Sequence, residues 1–201
     1  MVKSVNNARN SRVFNIKQGT NKSLSCFCVC IIIMLIYMLV DKLNFHPILT
    51  SSVPSFEREL LECEKSITLK LESVHQQEMK IKIIEADFSN GIYQREIVMF
   101  GEKDNIPKEL AHIKIFVKNL NKEARRDVLK GKKPFGKILS EHKMEMATRR
   151  EFKNFFKVYK NSRILNYVAS EKDFFYGRNY FIFLIRRFDK KKLAEVTEIF
   201  L

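Results

Sequence analysis

The chain has 201 residues, 45% of them hydrophobic and 30% charged, which suffices for one domain with a real core. Its net charge of +14 comes with 17 Phe, no Trp and an abundance of Lys, Ile and Asn. A/T-rich coding produces that same bias, so basic charge by itself assigns no nucleic-acid or membrane partner. Three of the four cysteines, Cys26, Cys28 and Cys30, share one apolar run and Cys63 stands alone, which excludes a disulfide framework or a paired-cysteine zinc module.

Residues 1–23 form a polar, basic extension without a single acid. Residues 24–40, "LSCFCVCIIIMLIYMLV", form an apolar segment at the short limit of a membrane span, and the basic flank would stay inside if it inserted. The competing reading is a trimmed extension or a later start. From residue 42 to 201 the pattern is that of one α+β domain. "FERELLECEKSITLKLESV" (56–74) has mostly helical spacing, and "MKIKIIEADF" (79–88) alternates like a strand. "YQREIVMF" (93–100) and "HIKIFVKNL" (112–120) follow as strands. Asn121 is placed to cap a helix "KEARRDVLK" that Gly131 closes. "REFKNFFKVYK" (150–160) reads as an amphipathic helix, and "RNYFIFLIRR" with the last nine residues, "LAEVTEIFL", reads as a terminal hairpin. Strands joined by turns with helices between them predict an antiparallel sheet with helices covering one face.

Two charged residues break this pattern. In the last strand Glu198 lies between Val196 and Phe200 on the face that meets the core, and in the strand over 93–100 Arg95 shares a face with Tyr93, Ile97 and Met99. A carboxylate is rarely buried without a partner. The two can pair as a buried salt bridge, or they can line a closed pocket for a small acid, with the arginine gripping a carboxylate. Phosphate-binding glycine loops, HExxH and nucleophile elbows are missing, and His46, His75, His112 and His142 are scattered singly, so no metal site is expected. The basic patches also lack the interleaved aromatics of a single-strand nucleic-acid binder.

Taken in order, "LLECEKSIT" (60–68), "REIVMF" (95–100), "LKGKKPFGKIL" (129–139), "YGR" (176–178) and "VTEIFL" (196–201) resemble the recurring segments of the chorismate–pyruvate lyase family, including its plastid-encoded relatives. The resemblance covers residues 42–201. It implies an antiparallel sheet with helices over a buried ligand pocket, and a lyase that eliminates pyruvate from chorismate to leave 4-hydroxybenzoate without metal or cofactor. By position, Arg95 matches the arginine that holds the ring carboxylate and Glu198 the glutamate at the ring's other end. Ile67 and Phe135 match apolar pocket positions where the family more often has Met and Leu, and Arg178 matches the arginine of its "GR". Asn179 departs from a second arginine common there, and the family's basic residue in the middle strand must here be His112 or Lys114. Arg95 and Glu198 are the implied catalytic pair, with Ile67, Phe135, Lys114 and Arg178 completing the substrate contacts.

The expectation is therefore a monomeric carbon–oxygen lyase with a small aromatic acid as its partner, no nucleic acid, and a membrane contact only through 24–40. Two rivals stand beside it: a non-catalytic aromatic-acid-binding domain of the same fold, and a basic membrane-anchored interaction protein. The resemblance and the composition place the protein in the plastid stroma, a reading that membrane insertion of 24–40 would contradict. On the pocket reading Glu198→Gln leaves the melting of the ligand-free protein little changed.

Overall fold

A computed structural model describes residues 45–160, 171–186 and 189–201. The extension 1–23 and the apolar segment 24–40 lie outside the described residues. Among the described residues no helix is long and apolar enough to cross a membrane.

Among the described residues seven strands form one antiparallel sheet: β1 (Phe45–Pro47), β2 (Met79–Ser89), β3 (Ile92–Gly101), β4 (Pro107–Phe116), β5 (Thr148–Tyr159), β6 (Phe174–Arg186) and β7 (Asp189–Phe200). Their order across the sheet is β1-β5-β6-β7-β4-β3-β2. Four helices accompany them: α1 (Ser55–Leu61), α2 (Ile67–His75), α3 (Lys122–Lys130) and α4 (Phe135–Glu141). The fold is the α+β arrangement that the alternation of patterns predicts.

Register fixes which residues share a face. Arg95 lies opposite Ile113, Ile113 opposite Val196, and Val196 opposite Tyr180. One step along, Ile97, Ala111, Glu198 and Arg178 form the next row. With side chains alternating, both rows face the helices. Towards one end this face packs with Ala124 and Val128 of α3 and Phe135, Ile138 and Leu139 of α4. Towards the other, Met99 and Phe200 pack with Leu60 and Leu61 of α1 and Ile67 and Leu71 of α2. The opposite face carries a smaller cluster around Val98, Leu110, Phe156, Phe175 and Ile199.

Two sequence expectations are overturned. Residues 150–160 are not a helix but most of β5. A bulge between Phe152 and Asn154 sets Phe152 opposite Tyr180 and Phe155 opposite Arg178, both on the helix face. Two apolar residues three apart then imitate helical spacing. The continuous helical pattern over 56–74 is also broken, because α1 stops at Leu61 and α2 begins at Ile67. The interruption has a cause in the core: Arg178 Nη1 donates to the carbonyls of Leu60, Leu61 and Cys63 at 3.0, 3.0 and 2.8 Å. Carbonyls that a continued helix would use internally are turned onto a buried cation. The helix over 122–130 is as expected, with Asn121 accepting from the Ala124 amide at 2.8 Å and Gly131 left-handed at φ 68°.

Candidate functional site

Glu198 is 3% exposed, and both of its oxygens are engaged by neighbours on β6. Arg178 Nε donates to Oε2 at 2.7 Å and the Tyr180 hydroxyl donates to Oε1 at 2.6 Å. The guanidinium of Arg178 also sits over the rings of Tyr180, Phe152 and Phe200, with centroids 4.8, 5.3 and 5.7 Å away. Burial is the largest influence and would push Arg178 down, but the charge of Glu198, the neighbouring Tyr180 and the hydrogen bond to Glu198 together outweigh it and the net shift is upward. Burial, followed by the charge of Glu198, holds the Tyr180 phenol well above its ordinary value, so it stays a donor.

In front of Glu198 lies a cavity that leaves about 30 Å³ open to water-sized groups. Its sheet wall is Ile97, Met99, Glu109, Ile113, Tyr180, Ile182, Val196 and Glu198. Its roof is where the starts of α2 and α4 meet, through Ser66, Ile67, Thr68, Phe135 and Gly136. Gly136 permits that approach, since a Cβ there would run into the Ser66 hydroxyl. The Ser66 Oγ is buried without a hydrogen-bond partner in the protein.

Of the six residues singled out from sequence, Glu198, Ile67 and Phe135 line this cavity. Arg178 stands behind Glu198 rather than in the cavity, as the clamp that orients it. Arg95 is buried at 1% exposure beside the lining. It does not pair with Glu198, because β4 separates their strands and the two side chains fall in different rows. Instead Arg95 Nη2 donates to the Lys133 carbonyl at 3.1 Å, while Nε and Nη1 have no partner. Burial pushes this guanidinium below its ordinary value, with Tyr93 offsetting part of the shift. Lys114 is not brought to the cavity. With His112 it points to the opposite face, where Lys114 Nζ lies 3.9 Å from Glu195. The reason is alternation: Glu109, Ala111 and Ile113 are the residues of β4 that face the helices.

Sequence reasoning missed Tyr180, Ser66 and Glu109. Tyr180 and Arg178 are two apart on β6, a spacing that puts both beside Glu198. Glu109 carried the same signal as Glu198, a carboxylate on an otherwise apolar strand face. Among the described residues no group of His, Cys, Asp or Glu is arranged to hold a metal.

No family model matches the chain. The crystal structure of PhnF from Mycobacterium smegmatis superposes with a TM-score of 0.51 at 10% identity, over 69% of this chain and 64% of that one. That likeness concerns the fold alone, and the chain spans less than two thirds of that protein. A sequence relative is closer in kind: the Methanocaldococcus jannaschii protein named "Putative lyase MJ0807" is 30% identical over 176 residues, 85% of this chain and 89% of the relative. With identity sustained over nearly the whole of both proteins, the chain belongs to the same family as this archaeal protein.

Proposed function

We propose that the protein is a lyase acting on a small cyclic acid, and specifically that it eliminates pyruvate from chorismate to give the aromatic 4-hydroxybenzoate. The observation that carries this reading is the buried Arg95, whose Nε and Nη1 have no partner. A cation kept in the core with spare donors is costly unless a ligand anion meets it. A carboxylate bound through two parallel hydrogen bonds answers that need. Glu198 supplies the other pole, held in place by Arg178 and Tyr180.

In the reaction the C3–O bond of the ring breaks and the C4 proton is lost, so that the ring becomes aromatic and keeps its C4 hydroxyl. The enolpyruvate that leaves takes up a proton at its methylene carbon to become pyruvate. Arg95 orients the ring carboxylate, and Glu198 accepts a hydrogen bond or a proton at the C4 end. General acid–base help is typically worth about 10²–10⁴ in rate, and positioning contributes comparably or more.

The cavity of about 30 Å³ is closed to such a ligand, since even benzene occupies engineered cavities of about 150 Å³. Binding therefore requires Phe135 and the starts of α2 and α4 to move apart. The second reading is an aromatic-acid-binding domain of the same fold without turnover, and it requires the same opening. Incubating the full chain with chorismate and following 4-hydroxybenzoate and pyruvate separates them. Equimolar products are the expected result; saturable binding without product gives the binding domain. Phe135→Leu is expected to raise affinity for the benzoate by enlarging the cavity, as measured by calorimetry.

A further inference from the structure

Glu109 is unused by the mechanism above, yet it lines the same cavity. It is 1% exposed, and its Oε2 is buried without a hydrogen-bond partner. On β4 it lies opposite Met99 and Phe200, one row along from Glu198 on the same face. Among the described residues, none of the charged groups nearby forms a hydrogen bond or an ion pair with Glu109. Arg178 spends Nε on Glu198 and Nη1 on three carbonyls, and its Nη2 is buried without a hydrogen-bond partner rather than bonded to Glu109. Arg150, also in the lining, gives Nη1 to the Glu64 carbonyl at 2.7 Å, and its Nε has no hydrogen-bond partner. Tyr180 directs its proton at Glu198. A second carboxylate ion in this wall would thus be a buried charge with no ion-pair partner, beside one that is already paired.

We propose that Glu109 stands in the cavity as a neutral carboxylic acid and that, with Glu198, it selects a ligand bearing a hydroxyl at that end. The acid donates to the hydroxyl oxygen, and Glu198 accepts the hydroxyl proton. One donor and one acceptor side by side match an alcohol or a phenol. They disfavour a carboxylate, which brings no proton, and an ether, which leaves Glu198 without its donor. The electrostatics point the same way: burial first, and then the charge of Glu198, hold the Glu109 carboxyl well above its ordinary value, with Arg178 offsetting part. The selection rests on the ligand reading proposed above, whereas the neutral state of Glu109 does not.

Two measurements on the full chain test this. Infrared spectra at neutral pH are expected to show the carbonyl stretch of a protonated carboxyl group that disappears in Glu109→Gln. If that difference is missing, Glu109 is ionised and the proposal is overturned. Calorimetry then compares 4-hydroxybenzoate, 4-methoxybenzoate and benzoate. The parent should prefer the hydroxy compound. Glu109→Leu should lose about tenfold or more of that preference, while Glu109→Gln, which keeps a donor, should retain most of it. An unchanged preference in Glu109→Leu overturns the selective role. If the infrared difference appears but none of the three benzoates binds, the aromatic-acid reading fails, hydroxyl selection falls with it, and the neutral acid stands.

Discussion

At the scale of single residues, the two buried arginines differ in how far they are satisfied. Arg178 has an ion pair, three carbonyls and three rings around it and one nitrogen without a partner, whereas Arg95 has one carbonyl, the neighbouring Tyr93 and two nitrogens without a partner. Removing Arg178 leaves Glu198 buried and unpaired, so Arg178→Met should destabilise the protein by about 3–5 kcal/mol in denaturant titrations. Arg95→Met removes an under-satisfied charge instead, and ligand-free stability should stay level or rise while benzoate binding is lost. A large loss of stability in Arg95→Met would mean that this arginine is structural. The ion pair also revises the expectation for Glu198→Gln. The substitution strips Arg178 of its counter-charge but leaves its carbonyl partners, so a loss of about 1–3 kcal/mol is now expected, together with loss of turnover. The sequence located Glu198 on the core face because strand alternation is local. It could not name the partner, because Arg178 is on a different strand and Arg95 was an equally suitable cation.

At the scale of elements, the starts of α2 and α4 meet to roof the cavity. The tightness of that contact depends on Gly136 meeting Ser66. Gly136→Ala should push the two helix starts apart, and a loss of 1–3 kcal/mol in stability is the rough expectation for such overpacking. If the helices must separate to admit ligand, the same variant should speed ligand association in stopped-flow mixing; slower association would contradict that gate. The sequence showed α3 with its cap and its closing glycine, because capping is written in neighbouring residues. It misread β5 and the break between α1 and α2 for a shared reason. The bulge after Phe152 and the reach of Arg178 to Leu60, Leu61 and Cys63 are products of tertiary contact, which no window of local periodicity contains.

For the molecule as a whole, Glu109 and Asp104 shape the pH dependence of stability in opposite directions. Glu109 is raised in the folded state, so the folded protein holds its proton more tightly than the unfolded chain. Its contribution is complete at low pH and is lost as pH rises above the ordinary value of 4.5 towards the folded one. Asp104 is lowered to about 2, chiefly because its carboxylate accepts from the Ile106 amide and next because Lys108 is close. Its contribution is present above 3.8 and is lost as pH falls towards 2. Thermal melts across pH should therefore show a decline above about pH 4.5 that Glu109→Gln flattens, and an acid limb that Asp104→Asn flattens. A parent curve with no Glu109-dependent slope on the neutral side would count against the buried acid.

The strand order has a consequence for how the chain is made. β2, β3 and β4 can pair with one another as each leaves the ribosome, and β5 with β6, but β4 and β6 join only through β7, the last of the seven to be synthesised. Until β7 arrives, β4 presents an open hydrogen-bonding edge with the apolar Leu110, Ala111, Ile113 and Ile115 along it. Such an edge is a template for pairing between chains. A nascent protein stalled after β6 should thus be prone to self-association, and a chain cut at Arg186 should pellet on expression. Adding a peptide of residues 189–201 should return some of it to solution, since that peptide carries both the missing seam and Glu198. The carboxylate that completes the cavity and the strand that protects the sheet from its neighbours are delivered in the same step.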